Sequence, residues 1–132
     1  MPLSFDVLRA ANTARLPTFK NAKGELSHPV RDGHNDNWSL NDWCTAVTGE
    51  LGEAANILKK IRRGDFTLEE ARIELAKELA DVQIYLDLLA LAAGINLGQA
   101  TVDKFNEVSV RVGSIIGIYY DGSDICHLGR EA

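Results

Sequence analysis

The sequence lacks most of the features that mark the commoner classes of function. No apolar run in its 132 residues approaches a membrane span, because Glu or Asp interrupts every candidate. The opening MPLSFDVLRAANTARL has no basic region, long apolar core or small-residue cleavage site, so it does not read as a secretion signal. Cysteine occurs only as Cys44 and Cys126, at no metal-binding spacing. Reduced thiols of a cytoplasmic protein are the simplest reading. Positive charge is short as well: the net charge of −5 opposes general binding to a nucleic acid polymer, although a local phosphate site is still allowed. Three prolines and an aromatic share of 7% leave long stretches rich in Ala, Leu, Ile and Glu, which favour helix.

What is there reads as one all-α domain over 1–132, a bundle of four helices. Residues 3–15 form the first, stopped near Pro17. The segment 17–37 is rich in Gly, Asn, Asp and His and reads as a binding loop or lid. Ser39 with Asp42 at N3 starts a second helix at Leu40, which runs to Arg63 and a cap at Gly64. Thr67 and Glu70 make a capping box for a third, ending near Ala93 before Gly94. Asn96 caps a fourth, roughly 97–112. The tail, 113–132, carries Ile and Tyr residues suited to docking on the core or on a neighbouring subunit, as strand or irregular chain.

Two acid pairs stand out. Glu50 and Glu53 lie three apart in GELGEAANILKK, and Glu78 and Asp81 lie three apart in KELADVQIYLDLLALAAG. At 100° per residue, Trp43, Val47, Leu51, Ala54, Leu58 and Ile61 define the apolar arc of the second helix. Glu50 falls inside that arc and Glu53 at its edge. In the third helix Leu75, Leu79, Val82, Leu86 and Leu89 define the arc, with Glu78 inside and Asp81 at the same edge. The connection at Gly64–Thr67 is short, so the helices pack antiparallel. Glu53 and Glu78 then lie roughly 15 Å from the turn, and Glu50 and Asp81 roughly 20 Å. Clustered carboxylates repel, and either cationic side chains or a divalent metal must offset them. An all-oxygen set without His or Cys suits Mg²⁺, with Mn²⁺ as substitute, and Mg²⁺ usually meets substrate phosphates. A di-iron site would need His three residues after a Glu, and His28, His34 and His127 all lie outside these helices.

These stretches, with GINL and DKFNEVSVRVG, resemble the MazG-like branch of the all-α nucleoside triphosphate pyrophosphohydrolases, small single-domain members of bacterial and phage type. The resemblance covers about residues 5–113, and Gly49 stands where some members carry a further glutamate. It implies Mg²⁺-dependent hydrolysis of a (deoxy)nucleoside triphosphate to the monophosphate and pyrophosphate, for pool cleansing or dNTP tailoring, with a lean to a purine deoxynucleotide. It implies Glu50, Glu53, Glu78 and Asp81 as metal ligands, with Glu53 orienting the attacking water, and assembly as a dimer or a dimer of dimers. The residues also favour assembly: Ile84, Leu88 and Leu91 make the third helix apolar nearly all round, and a partner chain would cover the excess face.

Lys104 and Arg111 share a face of the fourth helix, in the segment matching the family's basic motif, and are assigned to phosphate with Lys60 and Asn56. Trp38 is suited to stacking on a base, Tyr85 to lining the site, and Asn12 and His34 to contacting base or sugar. Two alternatives are kept. One is phosphoribosyl-ATP pyrophosphohydrolase activity; the other is a non-catalytic helical interaction module.

Overall fold

Each helix begins on a side chain that closes an open backbone N–H. The computed structural model describes residues 2–20, 22–24 and 38–129. Ser4 caps α1 (Phe5–Arg15) by accepting from the Val7 N–H. Ser39 caps α2 (Leu40–Arg63) with the complete box expected: its Oγ accepts from the Asp42 N–H, and the Asp42 carboxylate accepts from the Ser39 N–H. Thr67 and Glu70 repeat the device at α3 (Leu68–Ala92), and Asn96 caps α4 (Leu97–Arg111) through the Gln99 N–H. Gly64 closes α2 in the left-handed region at φ 89°, where a side chain would be strained. After α1 the chain makes a short 3₁₀ turn, Leu16–Thr18, with Pro17 in its first turn rather than stopping outright. The chain is mostly helical, and no helix among the described residues is long and apolar enough to cross a membrane.

The chain divides into two compact units, 1–93 and 94–132. In the first, α2 and α3 pack along their length and α1 packs on α3. Glu50, fourteen positions before Gly64, meets Asp81, fourteen positions after Thr67, so α2 and α3 run antiparallel. Leu16, Trp43, Leu88 and Leu91 form the core, with Phe19, Trp38, Ile84, Tyr85 and Leu89 packed against it. On the apolar face of α3 that suggested a partner chain, Leu88 and Leu91 are 2% and 3% exposed within this chain. The same face carries Asp87, 1% exposed, which accepts from Arg9 Nε at 3.0 Å and from Asn12 Nδ2 at 2.9 Å. A charge this deep is tolerable only when paired and hydrogen-bonded, and both partners come from α1.

The expected arcs are shifted. Trp43 and Ala54 of α2 are buried, but Leu51, Leu58 and Leu79 remain half exposed. The seam runs through Trp43, Ala54 and Ala71, at most 60° from Glu50 and Glu78 on their wheels, and the leucines sit nearer 90°. Antiparallel packing turns Leu51, Leu58 and Leu79 to one flank of the pair. Glu53, Lys60 and Asp81 lie on the opposite flank.

In the second unit, α4 is followed by an antiparallel hairpin of β1 (Ile116–Ile118) and β2 (Ile125–His127), with Gly117 opposite Cys126. The tail thus takes the strand form and packs on α4 of its own unit. Asn106 holds it there: its Nδ2 donates to the Ile118 carbonyl at 2.7 Å and its Oδ1 accepts from the Ile118 N–H at 2.8 Å. The side-chain amide does what a third strand would do at that position. Gly117 is needed for the approach, since a Cβ there would lie 2.7 Å from the Leu128 side chain and 2.9 Å from Asn106 Oδ1. Both cysteines are free thiols.

Candidate metal centre

Position 50 lies on the seam face of α2, and positions 78 and 81 lie three apart on α3, so the helix pitch alone brings them to one level. One carboxylate oxygen from each of Glu50, Glu78 and Asp81 lies within 4.8 Å of the others, and all three residues are half-buried. None of them, nor Glu53, forms an ion pair among the described residues. Elsewhere on these two helices Arg63 bonds Asp65 beyond the end of α2, and Lys77 pairs with Glu74.

The electrostatics show the consequence. Glu50 is pushed above its ordinary value of 4.5, first by desolvation, then by the charges of Asp81 and Glu78, a hydrogen bond to Glu78, and the charge of Glu53. Crowding of carboxylates without a counter-charge favours the protonated form of Glu50 over its charged form. The Tyr85 hydroxyl, one turn beyond Asp81, is also raised above 10.0, by desolvation and then by the charges of Glu50 and Asp81. Tyr85 is thus close to the cluster, while its ring lies 6.4 Å from Trp43 of the core.

Of the four acids expected to ligate, three converge. Glu53 is exposed and stands outside the group of three, although its charge is felt by Glu50. The 100° wheel explains the split: Glu53 lies 60° off the seam, on the polar flank with Asn56 and Lys60, both half-buried. Asn12, expected to contact base or sugar, is 2% exposed, and its amide nitrogen donates to Asp87 and to the Ile84 carbonyl, fastening α1 to α3. Trp38 is half-buried and tilted against Trp43, with ring centroids 4.9 Å apart. It lines a cleft with Asp42, Thr45 and Ala46 at the start of α2. Lys104 and Arg111 are exposed on α4, in the second unit, where Lys104 pairs with Glu107 at 3.0 Å. His34, and the loop expectation over 25–37, lie outside the described residues.

Sequence reasoning passed over two groups. Arg15 ends α1, lies over the Phe19 ring and is near enough to Tyr85 for its charge to oppose the rise of that hydroxyl. Its signal was position, three residues after Asn12 on the same helix face. Asp87 was hidden because one acid in an apolar helix has no pattern of its own. Its partners, Arg9 and Asn12, lie some 75 positions away.

Comparison with family models, with curated proteins and with solved structures found no match to this chain.

Proposed function

We propose that this chain is a Mg²⁺-dependent hydrolase of (deoxy)nucleoside triphosphates, releasing the monophosphate and pyrophosphate. The observation that carries the reading is the convergence of Glu50, Glu78 and Asp81 on one point, from two helices, without a cationic side chain paired to any of them. Such a set is a donor site for a hard divalent cation. Glu50, Glu78 and Asp81 would hold such an ion, and Mg²⁺ bound there would keep water and substrate phosphate oxygens as its other ligands. A bound ion supplies charge neutralisation on the phosphates and a more acidic water.

The chain's own groups take the other roles. Glu53, exposed and outside the three, would accept a proton from the attacking water without surrendering its oxygens to the metal. Asn56 and Lys60 continue along the same flank of α2, where phosphates leading away from the metal would run. Tyr85 lies near enough to Glu50 and Asp81 to feel their charges, and Arg15 near enough to Tyr85 to oppose them. Lys104 and Arg111 are phosphate candidates on the resemblance alone. The MazG-like motif, a cytoplasmic role in nucleotide pools, a four-helix site and assembly as a dimer or a dimer of dimers belong to the same proposal. The half-exposed Leu51, Leu58 and Leu79 support the last of these.

The test is a panel of canonical NTPs and dNTPs with Mg²⁺, resolved by chromatography into nucleoside monophosphate, diphosphate, pyrophosphate and orthophosphate. Monophosphate and pyrophosphate in equal amounts, lost in Glu50→Gln, are expected. Orthophosphate with diphosphate, or no product from any nucleotide, would reject the reading.

A further inference from the structure

We propose that the cleft formed by Trp38, Asp42, Thr45 and Ala46 is a base-binding subsite that selects nucleobases bearing an exocyclic amino group. The inference rests on the nucleotide reading above and specifies which part of the nucleotide the protein discriminates.

Size and place come first. The cleft has a volume of about 420 Å³, inside the range of small-molecule sites, about 300–1,000 Å³. Ala46 lies one helical turn before Glu50, about 6 Å along the axis of α2. Asp42 and Ala46 point to the flank that carries Glu53 and Lys60, so the cleft and the acids open on the same side. Between them lies Gly49, where a Cβ would meet nothing within 4 Å. The helix surface from cleft to carboxylates is thus open, and a ribose bridging a base in the cleft to phosphates at the acids has room to lie across it.

The chemistry of the walls follows from their hydrogen bonds. Trp38 supplies an aromatic surface, braced at a 54° tilt by Trp43. Asp42 uses only one carboxylate oxygen in the helix cap: Oδ2 accepts from the Ser39 N–H and Oγ–H, and Oδ1 takes no bond among the described residues. Thr45 Oγ1 spends its proton on the Asn41 carbonyl at 2.8 Å, so toward the cleft it has lone pairs to offer. Both side-chain oxygens are therefore acceptors, one of them charged. Adenine, cytosine and guanine each present an amino group that satisfies such a pair. Thymine and uracil turn carbonyl oxygens on either side of N3 toward it, which an anionic acceptor repels.

The experiment compares kcat/KM for dATP, dCTP and dGTP with that for dTTP and dUTP in Mg²⁺. In parallel, binding of dAMP, dCMP and dTMP is followed by quenching of tryptophan fluorescence, which needs no hydrolysis. An advantage of about tenfold or more for the amino-bearing bases is expected in both arms, the worth of a hydrogen bond to a charged acceptor. Asp42→Asn turns one acceptor into a donor while leaving an amide oxygen for the cap, and should move the ratio toward dTTP and dUTP. Thr45→Val, which does not touch the cap, should shrink the advantage. Equal kcat/KM and equal binding across bases, or a ratio unmoved in both variants, would overturn the subsite. Loss of hydrolysis on every triphosphate with amino-selective binding retained would overturn the reaction and leave the subsite standing.

Discussion

Glu50 carries the conflict between folding and function in one side chain. Its proton affinity is raised in the folded chain by burial and by Asp81 and Glu78. Between the ordinary value of 4.5 and the raised one, the native state binds more protons than the unfolded state. Stability without metal must therefore fall as pH rises through that window, and acidification into it must restore stability. Glu50→Gln removes the conflict. At pH 7 without divalent ions it should unfold at a temperature a few degrees above the parent in calorimetry, a small gain because half-exposed carboxylates are screened by water. Mg²⁺ should reverse the order, stabilising the parent and not the variant. The other acids separate by role. Glu78→Gln and Asp81→Asn should each weaken Mg²⁺ binding by about 10–100-fold in calorimetric titration. Glu53→Gln should leave that affinity within about threefold yet lower kcat by about 100-fold or more, the usual contribution of a positioned base. Equal loss of metal affinity in all four variants would place Glu53 among the ligands.

At the scale of elements, the sequence was legible wherever the signal was local. Ser39 with Asp42, Thr67 with Glu70, and Gly64 at the end of α2 are each read within four residues, and all stand where the caps require. The acid pairs were legible for the same reason, since spacing along one helix fixes direction. What sequence could not fix is which neighbour covers which face. The third helix, apolar all round, pointed to a second chain, but α1 covers its far side and Asp87 is the fastener. A buried amide and a ligand-binding amide look identical in sequence until the backbone they bind is located, as Asn12 does on the Ile84 carbonyl. The fastener makes its own prediction. Asp87→Ala strands the amide of Asn12 and takes the deepest partner from Arg9, and should cost about 3 kcal/mol in urea denaturation. Amide exchange should quicken first in α1, whose main tie to α3 is lost. Uniform loss of protection across both units would mean that α1 does not open on its own.

For the whole molecule, the open question is what lies against the flank opposite the polar one. Leu51, Leu58 and Leu79 are 53%, 49% and 50% exposed, and Leu40 at 51% extends the same edge of α2. Single exposed leucines need no explanation, but a row on one side of two packed helices is costly to leave in water. α1 is already occupied on the other side of α3, so among the described residues of the first unit no further helix is at hand to cover the row. A second copy bringing the same row would form a two-fold contact in which each leucine edge meets its equivalent. Light scattering at micromolar concentration should accordingly give twice or four times the chain mass of 14.5 kDa. Leu58→Glu with Leu79→Glu should give the single-chain mass, by setting like charges against each other across the axis. All three converging carboxylates come from one chain, so that double variant should still bind Mg²⁺, and titration of the separated chains reads this directly. A parent that is already monomeric would remove the second copy from the proposal and leave the acid cluster untouched. A double variant that separates and loses Mg²⁺ as well would show that the partner holds the two helices at the spacing the ion requires.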